Sequence, residues 1–472
     1  MNRRGFLTAS LGFGANVFIP AAPFRQQAPT CIRKSVTSLE DDAPEILLYR
    51  RAVSIMKGLP PTDKRNWIAQ ANIHACCCPH TNWWFLPWHR VYLYYFEQIC
   101  RDVLQNSDFA LPYWDWTRYP YIPDPFLDKN SSLWNDGRAL DGTVAAPLEA
   151  INTKEIGKVL TAQSIYEIYS GRTQSDDQAA SSRPGELENV PHGAVHAAVG
   201  GDMWSKLSPR DPIFWLHHCN VDRIWQSWAA IHGSAAPDDP MWSNHQLSQF
   251  FDPVSKQQVT VKCAQTLNSA LFSARYDRLE TAEQIPGLLP AKVLQILWGP
   301  AESVSLPPGM LSVEQRVPRE SAKFAPGKTL FDITLNPELQ KFWNSIGRRP
   351  LRDGVAASIS IFLFLDSVPV PESPSTLLRV FVGDPDSTPP VSFNDAGYAA
   401  TLSFFGSFIH KEHTKTSDFA LNITSTIASL NSSTPKDHPK ISVTLQRFDP
   451  LNRAEKTEPA PVPERVRLIA LD

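Results

Sequence analysis

LENVPHGAVHAAVGGDMWSKLSPRDPIFWLHHCNVDRIWQSW, residues 187–228, holds four of the chain's twelve histidines. His192 and His196 are four residues apart. On a helix that spacing puts both imidazoles on one face, a turn apart, able to share one metal ion. The His217-His218 pair offers a third nitrogen. Asp222 follows His218 by one helical turn, where it can hold the ring's other N–H and fix its tautomer. Two unrelated surface histidines would also give an HxxxH spacing. Here, however, the pair leads into an apolar, Trp-rich run with two further histidines.

A second cluster lies upstream, in NIHACCCPHTNWWFLPWHRVYLYYFEQIC (72–100), with His74, His80 and His89. Nine of the twelve histidines precede residue 250, and six of those nine form the two triplets. Two all-nitrogen sites imply two metals. Zinc hydrolases more often supply a carboxylate or an HExxH helix, and non-haem iron needs an Asp or Glu ligand; neither pattern is present. Paired copper that binds O2 between two tri-imidazole sites suits the donor set.

Four segments make a specific resemblance: HACCCPH, WWFLPWHR, ENVPHGAVHAAVGG and SPRDPIFWLHHCNVDRIW. In these the chain resembles the tyrosinase and polyphenol oxidase family of type-3 dicopper proteins, over roughly residues 31–280 and more weakly beyond. ENVPHG is closer to the plant-type enzymes than to the small bacterial ones, where Asn often follows the first histidine of the second site; here Gly193 follows it. The resemblance implies that His74, His80 and His89 hold one copper and His192, His196 and His218 the other. It selects His218 over His217, which becomes a packed neighbour. It also implies a thioether from Cys78 to the His80 ring, which would fix that ring against rotation; the alternatives at Cys78 are a disulfide or a free thiol. Cys31 could pair with Cys76 or Cys77, as plant relatives staple the N-terminal arm, but Ala75 stands where they carry the pairing cysteine and the pairing stays open. Cys100 and Cys219 read as buried thiols, and Cys263 is unassigned.

Glu188, four before His192, holds a water near the metals in plant-type relatives and could take a phenol proton. The other reading is a carboxylate capping the His192 helix. Phe214 is expected to pack on a ligand ring of the second site. Where some relatives place a Phe over the mouth this chain has Ser205, between Trp204 and Lys206, which suggests a less obstructed entrance. His232 and His245 read as surface residues. The activity implied is oxidation of o-diphenols to o-quinones with O2 as co-substrate, with o-hydroxylation of monophenols as an open extension. The rivals are a haemocyanin-like O2 carrier and a zinc-loaded protein without oxidase activity.

The rest of the chain frames this centre. Residues 1–28 combine Arg3-Arg4, Phe6-Leu7 and a short apolar run ending in PAAP, resembling a twin-arginine export signal for a bacterial periplasmic or secreted protein. That run is too short and Gly-rich to span a membrane. Residues 29–285 form the expected dicopper domain. Helices are expected over 44–57, from 63 to 74, from Pro87 with a buried stripe at Leu93, Phe96, Cys100 and Val103, over 162–170, 192–199 and 217–231. Residues 117–160 read as loop. Four core helices with six inward histidines make a mainly α bundle with its metal site between helices. Residues 286–325 are a Pro-rich linker. Residues 326–472 contain five alternating runs (358–365, 377–383, 398–406, 419–425, 441–448) and read as an antiparallel β-sandwich. It resembles the C-terminal domain of plant polyphenol oxidases, which can cover the active site. His410 and His413 fall in a polar run that reads as solvated loop. At 42% hydrophobic, 20% charged and net charge −3, the chain shows no nucleic-acid signature; a phenolic small molecule is the expected partner, and oligomeric state is unread.

Overall fold

The computed structural model describes residues 31–280, 310–345 and 360–471, apart from 144, 162–165, 173–182, 234–235, 268–271, 273–274, 386–391, 411–413, 434–438 and 452–456. The expected export signal, most of the expected linker, and His413 lie outside the described residues.

Among the described residues, five helices carry or frame the histidine clusters of the first domain. α1 (Pro44–Gly58) starts with Pro at its first position, which suits a missing N–H, and buries Ile46, Tyr49, Val53 and Met56. α2 (Trp67–Cys77) is capped by Asn66, whose side chain accepts from Ile68 N and Ala69 N. It therefore starts at 67 rather than 63. α3 (Phe85–Leu104) ends at Gln105 in the left-handed region. A five-residue π turn, Glu188–His192, with Pro191 inside it, leads into α4 (Gly193–Val199). α5 (Ile213–His232) stops at Gly233, whose φ of +67° favours glycine. Trp215 of α5 stacks on Phe96 of α3 with centroids 3.4 Å apart, so the Trp-rich run is the packing seam of the bundle. Short helices at Leu148–Ile151 and Thr153–Thr161 occupy part of the stretch expected to be loop.

The second domain is a sandwich of two antiparallel sheets. Its strands are β1 (Met310–Arg316), β2 (Lys323–Ala325), β3 (Lys328–Thr334), β4 (Ser360–Pro369), β5 (Leu377–Gly383), β6 (Tyr398–Ser403), β7 (Thr416–Asn422), β8 (Lys440–Phe448) and β9 (Arg465–Leu471). The sheet orders are β7-β4-β9-β1 and β6-β5-β8-β3-β2. β1 pairs with β9 from Met310↔Leu471 to Arg316↔Arg465. The sandwich thus begins at 310, inside the expected linker. The expected strand at 398–406 stops at Ser403 and turns into a short helix, α6 (Phe405–Ile409).

β6 is an edge strand, yet all six of its residues are buried. It packs against the π turn, α4 and Leu148–Ile151 of the helical domain. Around that contact Arg379 pairs with a buried Glu149, Tyr398 donates to the Glu149 carbonyl at 3.1 Å, and Arg183 meets Asp418 at 3.2 Å. The two domains meet directly above the histidine clusters.

Candidate metal centre

The first cluster joins His74 of α2, His89 of α3 and His80 of the loop between them, with Cys78. The second joins His192 at the end of the π turn, His196 of α4, and His217 and His218 of α5. His80 is the one proposed ligand on a loop rather than a helix. Every one of these side chains is buried.

Backbone carbonyls set the ring tautomers. His74 Nδ1 lies 2.7 Å from Lys206 O, His89 Nδ1 2.8 Å from Phe85 O, His192 Nδ1 3.2 Å from Glu188 O, and His196 Nδ1 2.8 Å from Met203 O. A carbonyl can only accept, so Nδ1 carries the proton and Nε2 presents a lone pair. His74 Nε2 and His192 Nε2 are buried without a protein partner. His196 Nε2 faces His218 Nε2 at 3.4 Å. Burial lowers the His74 pKa to about 4 and that of His196 to about 3, and drives His80, His89, His192 and His218 well below the usual value. The rings are therefore neutral, the form that binds metal. Lone pairs aimed at a common point and lacking protons to share are satisfied by a cation.

The clusters face one another. His89 stacks on His218 at 4.1 Å, and His80 lies 5.8 Å from His192. Phe85 stands between them, 4.6 Å from His89 and 4.7 Å from His192. The sequence reading overlooked Phe85, although it precedes His89 by one helical turn. Phe214 lies 4.2 Å from His218 and 5.2 Å from His74, so it packs on both clusters.

Cys78 Sγ is 3.2 Å from His80 Nδ1 and 3.9 Å from its Nε2, against the ring edge that holds the carbon between them. Cys76 and Cys77 are bridged to each other, which excludes the pairing with Cys31 that the sequence left open. Cys31 Sγ instead lies 3.6 Å from Ser107 O. Cys100, Cys219 and Cys263 are buried thiols, and burial pushes the Cys219 thiol up to about 12.

Asp222 does not hold His218. Its carboxylate accepts from Arg90 Nε at 2.6 Å and Tyr276 OH at 2.7 Å, with Arg33 at 3.7 Å, while His218 Nδ1 has no hydrogen-bond partner. A carboxylate gains more from guanidinium groups than from a neutral imidazole N–H. Glu188 does not cap its own helix. Its two oxygens accept from Thr81 N at 2.8 and 3.1 Å, clamping the loop that carries His80. Burial pushes this carboxyl up to about 8, against the lowering effect of the Thr81 N–H.

Ser205 is half-buried and bonded to Asp202 O, and the mouth is nonetheless closed, because the sandwich closes it. Phe405 of α6 stacks on His196 with centroids 4.0 Å apart and planes 17° apart, and lies 5.6 Å from His80 and 5.7 Å from His192. His410 sits 6.0 Å from His80, half-buried rather than in a solvated loop. His245 stacks on Trp84 at 3.6 Å, and His232 Nε2 meets Leu160 O at 2.7 Å; neither is a free surface residue. No local sequence pattern marks Phe405, because its contacts are made with another domain.

A helical bundle that presents two all-imidazole clusters face to face beneath a β-sandwich defines a dinuclear metal protein, and the donor set fits two copper ions. The common central domain of tyrosinase matches residues 52–147 and 131–231, so the helical domain carries the central domain of that family. It is 30% identical over 271 residues to the chloroplastic polyphenol oxidase of Vitis vinifera, a match covering 48% of this chain and 44% of that one. It thus spans less than half of that relative's length. The fold is similar to that of latent aurone synthase (polyphenol oxidase), with TM-score 0.67 at 21% identity over 95% of this chain and 91% of that one. It is also similar to a functional unit of octopus haemocyanin, with TM-score 0.55 at 18% identity over 93% and 99%. Among the described residues no helix is long and apolar enough to cross a membrane.

Proposed function

We propose that the chain oxidises o-diphenols to o-quinones with O2. His74, His80 and His89 hold one copper, His192, His196 and His218 the other, and the C-terminal sandwich keeps the site closed. The observation that carries this reading is the pair of facing, neutral imidazole clusters, in which backbone carbonyls leave the Nε2 lone pairs of His74, His89, His192 and His196 free for a metal. When bound, copper supplies O2 binding and takes up the substrate's electrons. The chain supplies the rest. The face of the His196 ring covered by Phe405 is a flat platform for a phenol ring once Phe405 leaves. Glu188 stands at the mouth, and its carboxyl returns toward the ordinary range when water reaches it, so that it can take the phenol's proton. Gly193 leaves room for Ser403 of the sandwich, whose Oγ a Cβ there would meet at 2.5 Å. Hydroxylation of monophenols is a finer reading of the same site.

Reconstitution with copper, metal analysis, and a catechol assay on the intact chain and on Phe405→Ala test the proposal. Two coppers and quinone formation are expected; zinc retained in place of copper would sink it. Tyrosine-like substrates in the same assay decide hydroxylation. A haemocyanin-like O2 carrier is the second reading, favoured by the octopus likeness, which extends over the sandwich. Reversible O2 binding without quinone formation in Phe405→Ala would select it.

The position of Cys78 supports a thioether to His80, formed by oxidation with copper and O2. After full reduction and alkylation, the intact mass should show six alkylated cysteines out of seven; seven would rule the bond out. The Arg3-Arg4 segment supports twin-arginine export, tested by the N-terminus of the exported protein.

A further inference from the structure

His217 is fully buried against the second cluster, and ring spacing alone does not distinguish it from the residues around it. Its centroid lies 5.3 Å from His192, 5.0 Å from His196 and 5.0 Å from His218. Those three rings are 4.6, 5.0 and 5.6 Å from one another. The difference is Trp116, itself fully buried, whose indole N–H donates to His217 Nδ1 at 3.1 Å.

An indole nitrogen can only donate. His217 Nδ1 must therefore carry the lone pair, and the neutral ring keeps its single proton on Nε2. Backbone carbonyls impose the opposite tautomer on His192 and His196. His217 carries a proton where those ligands carry a lone pair, so it is not equipped to bind metal through Nε2. That Nε2 is nevertheless buried and without a partner in the protein. A buried N–H without an acceptor is costly and rare. The arrangement makes sense if the acceptor comes from outside.

We propose that His217 is a binding residue, an N–H donor that orients an anionic oxygen or small anion beside the second histidine cluster. Trp116 is its positioning residue. The inference rests on the dicopper reading above and extends it to a preference for anionic ligands over neutral ones. It depends on a tautomer set by a fixed donor, not on a titration.

The test uses the copper-loaded full chain in a Phe405→Ala background, with azide as the probe, followed optically, and copper counted by metal analysis. His217→Phe should bind azide at least about fivefold more weakly at unchanged copper content. His217→Gln places an amide N–H near the same point and should recover most of the loss. Trp116→Phe, which releases the tautomer, should fall between. Loss of one copper in His217→Phe would make His217 a ligand and overturn the proposal. Unchanged azide affinity, an equal loss in His217→Gln, or a Phe405→Ala reference that holds two coppers yet binds no azide would overturn it too. A reference that takes up no copper overturns the dicopper reading instead. If His217→Phe does not fold, His217→Gln and Trp116→Phe carry the comparison, and azide affinity equal to the reference in both overturns the proposal.

Discussion

The helical domain and the sandwich build their parts of the site in opposite ways. In the helical domain most of the contacts that orient the ligand rings are local, His74 with Lys206 O excepted. His89 donates to Phe85 and His192 lies against Glu188, each one turn back along the chain, and His196 donates to Met203 just beyond its own helix. The sandwich contributes Ser403, Phe405 and Gly406, and these matter to the site only through contact with the other domain. A Cβ on Gly406 would lie 2.5 Å from Glu188 Oε1, and one on Gly193 would lie 2.5 Å from Ser403 Oγ and 2.6 Å from its Cβ. The metal-binding half can thus be altered one ligand at a time, whereas the covering half works by fit.

The largest effect is expected on the local side. His196→Ala or His218→Ala should remove one copper per chain and lower catechol oxidation by about a thousandfold or more, measured by metal analysis and turnover. His218→Ala that keeps two coppers while His217→Ala loses one would reverse the choice within the pair.

Phe405→Ala tests the other half. It should raise catechol oxidation of the intact chain about tenfold or more by clearing the His196 face, with copper content unchanged. Cleavage should do the same, and because β1 begins at Met310 the cut belongs before 310 rather than anywhere in 286–325. Equal activity before and after a cut that releases the sandwich would leave it a stabilising role only.

Smaller, and more specific to the fit, is Gly193→Asn. The new side chain should collide with Ser403, loosen the sandwich and raise activity a few-fold in the uncut chain, roughly the consequence of losing about 1 kcal/mol of docking. Gly193→Asn with Ser403→Gly should return toward the closed state; if it stays open, the change at 193 acts on the copper site itself.

The smallest effect on activity is expected away from the metals, where the change is one of stability of the helical domain. Burial raises the Glu280 pKa, but hydrogen bonding from Arg118 and the charge of Arg223 outweigh this and bring it down to about 2. A carboxylate with a lowered folded pKa stabilises above its unfolded value, near 4.5, and that contribution is lost as pH falls toward 2. Glu280→Gln should therefore cost about 2 kcal/mol at pH 7, with the gap to the unmutated chain closing below pH 4.5 in denaturant melts.

The same contrast explains what could be read without coordinates. Helical period and the spacing of His192, His196 and His218 are short-range patterns, so the clusters and their helices were legible. Asp222 misled because spacing reports which face a side chain shares, not who competes for it; Arg33 and Arg90 come from elsewhere in the chain. The partner of Cys31 stayed open for a similar reason, since a resemblance to other pairings cannot see that Cys76 and Cys77 close on each other. β1, β2, β3 and β9 were not among the strands read from the sequence; β2 is only three residues long, whereas β1, β3 and β9 match β5 and β7 in length at seven. Phe405 was invisible because an aromatic residue after a strand looks the same whether it fills its own core or another domain's mouth.

The burial of β6 has a consequence for how often the protein can be opened. Edge strands present unpaired backbone donors and acceptors, and proteins protect them with charge, proline or cover. β6, with the sequence YAATLS, has no such protection of its own and depends on the helical domain to cover it. Once freed, that edge would seek another strand, so the separated sandwich should self-associate in size-exclusion chromatography while the helical domain does not. The cover would then be spent rather than stored, and activation would run as a one-way step, more like breaking a seal than turning a valve.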